Sequence, residues 1–325
     1  MSYILAKIGS LFVGLSDLVP AAILAFGVRA YTNAAAAANV KAVNIRPGSG
    51  AANYDVNLLT NGSLDIATAI ATAGVDTTGT GAITGTTLTF TGGHIGDTVT
   101  GGTTAAGTFI VSGSSPTWTV NKSQTVLSAA LTLTWGMFIA TLYNQNIALG
   151  SGNATQATNA NQPLLVPKAG PNGIVPAMWF NGTSSALNTG SFYAPLTLSW
   201  VGLSNNGAAS VGPVFAGSGT SGGHYNNGNV YLFQGTLVDV AATNGVWHSA
   251  AGVYNGAASI INVDGTNTTV NPGTGASNAG QVGANVASSQ FFNGYLEEVV
   301  MWNSVTQTGA QLIAGNTNKH AYYGF

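Results

Sequence analysis

The chain has 325 residues with seven Lys or Arg, nine Asp or Glu, four His and no Cys, giving a net charge of −2. Roughly a quarter of an ordinary soluble domain is charged, against 5 % here, so acid–base catalysis and ion ligation have few groups to draw on. The lack of Cys excludes disulfides and thiolate metal sites, the small net charge argues against nucleic acid, and so uncharged a surface suits a subunit packed in an assembly.

Residues 2–28 are apolar, but Lys7, Asp17 and Pro20 interrupt the run, so no membrane span is expected. With Met1 in place, no leader cleavage is expected either. Ile4, Ile8, Leu11 and Leu15 recur at helical spacing with Leu5 and Phe12 beside them, which predicts an N-terminal helix over 1–20. That helix either packs on its own domain or docks on a partner subunit through Ile4, Ile8, Leu11, Phe12 and Leu15. Residues 63–73 predict a second helix, with Ser63 as N-cap and Leu64, Ile66 and Ile70 as apolar contacts. A third short one is predicted over 308–314.

Between 75 and 134 Thr and Gly dominate. Short alternating runs at 87–90, 96–99, 108–111 and 117–120 are separated by Gly, Ser or Pro. They predict a small inserted β-module of four or five strands, with Gly92, Gly93, His94, Gly101 and Gly102 in its turns. Further strands are predicted at 179–185, 196–201, 246–254, 258–263 and 292–303. Asp264-Gly265 supplies a tight hairpin turn between strands. Many short strands with regular turns make an all-β, two-sheet sandwich. The predicted division is a docking helix (1–20), a sandwich (21–74 and 135–325) and the inserted module (75–134).

A glycosidase normally needs two carboxyl groups about 5–9.5 Å apart. Glu297 and Glu298 are neighbours on one predicted strand, so they face opposite ways and cannot share a cleft. Each is better explained as a sheet-edge residue or as the partner of an Arg or a backbone amide. Asp264 belongs to its turn, which leaves Asp239 with Glu297 or Glu298 as the remaining acid pair, and Asp239 with Asp264 as the remaining ion ligands. His94, His224, His248 and His320 show no paired spacing, so no metal and no cofactor are expected. Sugar binding needs less ionic equipment. The loop 218–230 offers His224, Tyr225, Asn226 and Asn227 as an exposed contact site.

The order Phe180-Asn181-Gly182, Trp247-His248 to Gly252-Val253-Tyr254, Val263-Asp264-Gly265 and Phe292-Asn293-Gly294 to Leu296-Glu297-Glu298-Val299 resembles the laminin-G, concanavalin A-like jelly roll. Phe26 to Thr32, Ala42 to Arg46, Asn61 to Asp65, Met137 to Gln145 and Asn153 to Pro163 are similar to the catalytic sandwich of the α-L-arabinofuranosidase B family and its relatives on phage heads and tails. That family's motif reads Y-D-Q-S-G-N-G-x-x-A-T-Q-A-x-x-x-x-Q-P; here Asn144 replaces its Asp, and residues 146–152 replace S-G-N-G. Between Tyr143 and Val238 there is no Asp or Glu, so the family's nucleophilic Glu has no counterpart. The cadence of 75–133 also resembles a Gly/Thr β-module inserted in bacteriophage structural proteins.

These resemblances imply a non-enzymatic bacteriophage protein at the virion surface, made in the host cytoplasm: a capsid decoration, head fibre or tail appendage. Its expected partners are other capsid or tail proteins, further copies of itself as a trimer, and a weakly bound host-surface glycan. The alternatives are an arabinofuranosidase-like hydrolase and a secreted adhesion module.

Overall fold

The computed structural model describes residues 24–146, 152–189, 196–205, 212–217, 222–226, 228–273, 280–285, 287–302 and 307–325. The predicted docking helix, with Ile4, Ile8, Leu11, Phe12 and Leu15, lies outside them. None of the described helices is long and apolar enough to cross a membrane.

The strand Asn293–Trp302 is the spine of the molecule. One edge pairs with Leu196–Ser204, and the other is shared end to end by Leu24–Gly27 and Ala177–Asn181, all antiparallel. Beyond Leu196–Ser204 the layer continues through Trp247–Tyr254, Ser259–Val263 and Thr266–Val270. A second layer runs through Gly280–Val282, Gly212–Gly217, Gly222–Asn226, Asn229–Phe233 and Leu237–Ala241. The two layers pack face to face. Trp200 meets Tyr225 edge-on at 6.3 Å, Tyr225 lies 5.9 Å from Phe292, and a single buried cluster joins these to Leu198, Leu232, Ala250 and Leu296. This is a concanavalin A-like β-sandwich.

The spine is covered on both faces, which explains its near-continuous apolar sequence. Leu296, Val299 and Met301 enter the main core, while Val300 and Trp302 pack with Ala25 and Tyr31. The helix Gly309–Tyr323 covers the outer face of the same layer, seating Leu312 on Ala251 and Val253. Its N-cap is Thr308, in a capping box with Gln311. The helix is longer than the predicted 308–314 because Leu312, Lys319 and Tyr323 are buried against the sheet, which overrides the weak propensity of a Gly- and Asn-rich run. The predicted helix at 63–73 is confined to Ile66–Ala73 with Asp65, not Ser63, as its cap. Ser63 instead bridges Arg29 as extended chain. At the Asp264-Gly265 turn both residues are left-handed, with φ of 49° and 88°, as a two-residue hairpin requires.

Residues 75–134 form a separate four-stranded antiparallel sheet in which Thr117–Thr134 pairs with Val75–Thr89, Thr98–Thr100 and Ile110–Ser114. Its core of Ile83, Leu88, Phe90, Val99, Ile110, Trp118, Val120, Val126, Leu131 and Leu133 is its own. The module leans on the sandwich through Phe109, whose ring meets Trp179 at 4.9 Å over Leu164 and Val166. Asn121 adds a hydrogen bond to the Tyr295 hydroxyl at 3.0 Å.

Candidate functional site

Three short segments converge on a cleft of about 530 Å³. Lys41–Pro47 pairs with Met137–Leu142, which in turn pairs with Ala154–Thr155. Side chains alternate along Lys41–Pro47: Val43 and Ile45 are buried, whereas Asn44 and Arg46 are half-buried and line the cleft. The opposite wall carries Gln156, Asn159 and Gln162. The Arg46 Nε donates to Gln162 Oε1 at 2.7 Å and Nη2 donates to Asn159 O at 3.3 Å. The guanidinium also stacks 4.5 Å from the centre of the Phe138 ring. Gln162 Nε2 donates to Gln156 O, and Gln156 Nε2 reaches Ala186 O, both at 2.9 Å. The amides are therefore pre-positioned by the chain itself.

The cleft contains amides, hydroxyls and one guanidinium, and no carboxylate is part of its lining. Asp55 stands behind Asn44, accepting from Asn44 Nδ2 at 2.7 Å and the Tyr143 hydroxyl at 2.8 Å, with Lys41 Nζ at 2.5 Å. Partial burial acts to raise its pKa, but the hydrogen bonds from Lys41, Asn44 and Tyr143 outweigh it and hold the carboxyl below its ordinary value. It stays ionised and cannot serve as a general acid near neutral pH. Among the described residues, its amides, hydroxyls and guanidinium can orient hydroxyl groups.

The sequence-derived contact loop is corrected. His224 and Tyr225 belong to the inner strand Gly222–Asn226, beneath Trp200, and are 7 % and 1 % exposed. Burial pushes the His224 pKa down to about 4, keeping the ring neutral, and the Tyr225 hydroxyl donates to Gly202 O. Asn226 ends that strand, opposite Asn229, and Asn227 lies outside the described residues. Two buried aromatics on an inner strand cannot present an exposed sugar platform.

The acid pair also separates. Asp239 is exposed on Leu237–Ala241, whereas Glu297 and Glu298 are fully buried on the spine. Neither glutamate is at a sheet edge. Glu298 is an Arg partner: Arg29 Nε donates to its Oε2 at 2.6 Å and the Tyr323 hydroxyl donates to the same oxygen at 3.0 Å. Lys319 Nζ lies 3.8 Å from Oε1 and donates to Trp200 O at 3.3 Å. Burial, opposed by the attraction of Glu298, brings the Lys319 pKa down to about 8. Glu297 is the extra residue of a β-bulge, since Val201 and Gly202 pair with Glu298 and Leu296. Burial and then Glu298 push its pKa well above the ordinary carboxyl value, favouring the neutral acid, and its carboxyl packs against Gly170. Asp264 serves its turn and also anchors His248, whose Nδ1 sits 2.6 Å from Oδ2.

The other acids among the described residues are engaged. Asp65 caps its helix, and Asp76 and Asp97 meet His94 at the base of the inserted module. Sequence reading missed that trio, placing His94 only in a turn of the module, because Asp76 lies 18 residues from His94; His94-x-x-Asp97 was the one local signal for it. For the cleft, the legible signal was the run Ala154-Thr155-Gln156-Ala157 to Gln162-Pro163, which supplies Gln156 and Gln162 to its wall. Arg46 and Asn44 had no motif of their own.

No protein-family model matches the sequence, and no curated protein matches it. Solved structures do. A GH54 α-L-arabinofuranosidase soaked with a cyclic sulfate inhibitor superposes with a TM-score of 0.62 at 12 % identity, over 96 % of this chain and 66 % of that one. A glutamate-to-glutamine mutant of a GH54 enzyme soaked with 4-nitrophenyl α-L-arabinofuranoside gives 0.62 at 13 %, with the same coverage. An arabinofuranosidase complexed with arabinofuranosyl-α-1,2-xylobiose gives 0.61 at 12 %, over 96 % and 65 %. The chain shares the β-sandwich fold of these structures. This chain spans about two thirds of the length of those enzymes, and at such identity the likeness concerns the fold alone.

Proposed function

We propose that this chain is a non-hydrolytic carbohydrate-binding β-sandwich whose glycan site is the Arg46 cleft. The observation that carries this reading is the cleft's lining, rich in fixed amides and without a carboxylate, in a molecule whose described acids are engaged elsewhere or stand apart. Planar amides and a guanidinium stacked on Phe138 suit the donor and acceptor pattern of sugar hydroxyls. Arabinofuranosyl oligosaccharides are the first probes, because the structural neighbours are arabinofuranosidases. Calorimetry should show binding that falls at least about tenfold in Arg46→Ala, which removes a charge-assisted donor worth roughly 1.5–3 kcal/mol. The same mixtures should release no free arabinose. Sugar release by the purified chain would replace this reading with the hydrolase.

The setting we propose is the surface of a bacteriophage particle, as head decoration, head fibre or tail appendage. The sparse charge and the sequence resemblances support it. Quantitative mass spectrometry of purified particles tests it: many copies would mean decoration, a handful a fibre or tail part, and none would overturn the assignment.

A further inference from the structure

We propose that Asp76, His94 and Asp97 bind one divalent transition-metal ion of the zinc type at the root of the inserted module. Asp76 is the second residue of Val75–Thr89, and His94 and Asp97 come from the turn that precedes Thr98–Thr100. One ligand atom from each lies within 4.8 Å of the other two. His94 Nδ1 is 2.8 Å from Asp76 Oδ2 and 3.9 Å from Asp97 Oδ2. An ion about 2.0–2.2 Å from nitrogen and oxygen ligands holds them roughly 3.0–3.5 Å apart, a spacing that lies between the two His94 separations.

Three further features favour an ion over a simple hydrogen-bonded cluster. First, Asp97 is fully buried and the Asp76 side chain nearly so, yet no Lys or Arg among the described residues pairs with either. Apart from the His94 ring, two close carboxylates with this burial have no cation beside them, a setting that a bound metal ion stabilises. Second, the ligands are oriented from behind: Asp97 Oδ1 accepts Gly136 N at 3.1 Å and Oδ2 accepts His94 N at 2.7 Å. The His94 ring is stacked at 4.5 Å on Trp135, which fixes the direction of Nδ1. Third, the His94 side chain is 59 % exposed, leaving a solvent side for water ligands. One nitrogen and two carboxylates suit a first-row transition ion better than calcium, which takes six to eight oxygens. Since Trp135 and Gly136 form the link from Thr117–Thr134 to Met137–Leu142, the ion would brace the module where it joins the sandwich.

The test is calorimetric titration of the chelator-treated full chain with zinc chloride, and with cobalt(II) to read its visible absorption. The expected result is one equivalent bound, a raised Tm, and affinity reduced at least about tenfold in His94→Ala and in Asp76→Asn. His94 is exposed, so His94→Ala retains the fold and the comparison stays valid. No zinc binding by the wild type would overturn the proposal. Undiminished binding in both variants would overturn it equally, placing the ion elsewhere, as would binding of calcium in preference to zinc.

Discussion

Arg29 and Glu298 lie 269 residues apart in sequence and meet at 2.6 Å with neither side chain exposed. The contact ties the first described strand to the spine and to the C-terminal helix at once. Tyr322 and Tyr323 lie within 5.0 and 5.3 Å of the guanidinium, and Tyr323 shares Glu298 Oε2. Breaking one side of a buried pair strands the other charge and costs about 3–5 kcal/mol. Arg29→Met and Glu298→Gln should each lower the free energy of unfolding, read from urea titration, by that margin. The double replacement Arg29→Met with Glu298→Met should recover much of the loss, because it leaves neither of these two charges behind. Additive losses in the double variant would show that packing, not charge pairing, holds this junction.

Glu297 has the opposite chemistry. Its folded pKa is raised above the unfolded value by burial and then by Glu298. The stability it contributes is therefore fully present below the unfolded carboxyl pKa and is lost as pH rises through the folded value. Glu297→Gln, neutral at every pH, should match the wild type in acid and exceed it in Tm at neutral and alkaline pH. Parallel Tm–pH curves for the two proteins would contradict the buried neutral acid.

Gly170 is the other half of that site. A Cβ added there would lie 1.9 Å from Glu297 Oε1 and 2.5 Å from Val175 Cγ2. Gly170→Ala should destabilise by about 1–3 kcal/mol, the usual penalty of overpacking. Adding Glu297→Ala should return part of that loss in chemical denaturation by clearing the space. If the double variant is no better than the sum of the singles, the clash is with Val175 instead.

The sandwich was readable because its strands announce themselves locally: Trp247 to Tyr254, the Asp264-Gly265 turn and the long run ending at Trp302 are set by alternation and turn chemistry. What the sequence concealed depends on long-range pairing. For Glu297 and Glu298 the sequence offered a sheet edge or an Arg partner; Glu298 has the partner, Arg29, but nothing local reveals that three strands flank the pair. His224 and Tyr225 read as loop residues among glycines, yet those glycines let an inner strand pass beneath Trp200, where a Cβ on Gly223 would collide with its ring at 2.8 Å. Arg46 joins Gln162 across 116 residues, a separation over which motif spacing carries no information.

The inserted module gives the last prediction. Its first and last strands pair at Val75 and Thr134, and Trp135 N donates to Gly74 O at 3.1 Å, so the two sandwich ends it interrupts are already adjacent. Replacing residues 75–134 by a short Gly-containing turn should therefore close at little entropic cost and leave the sandwich folded, with sugar binding at the Arg46 cleft retained. Removing the module also removes Phe109 from Leu164, Val166 and Trp179, exposing an apolar patch where a covered one stood. The shortened chain should show red-shifted tryptophan fluorescence and a greater tendency to associate in light scattering, both reduced by Trp179→Ser. Loss of the sandwich's cooperative unfolding on excision would mean that the module is part of the folding unit and not an addition to it.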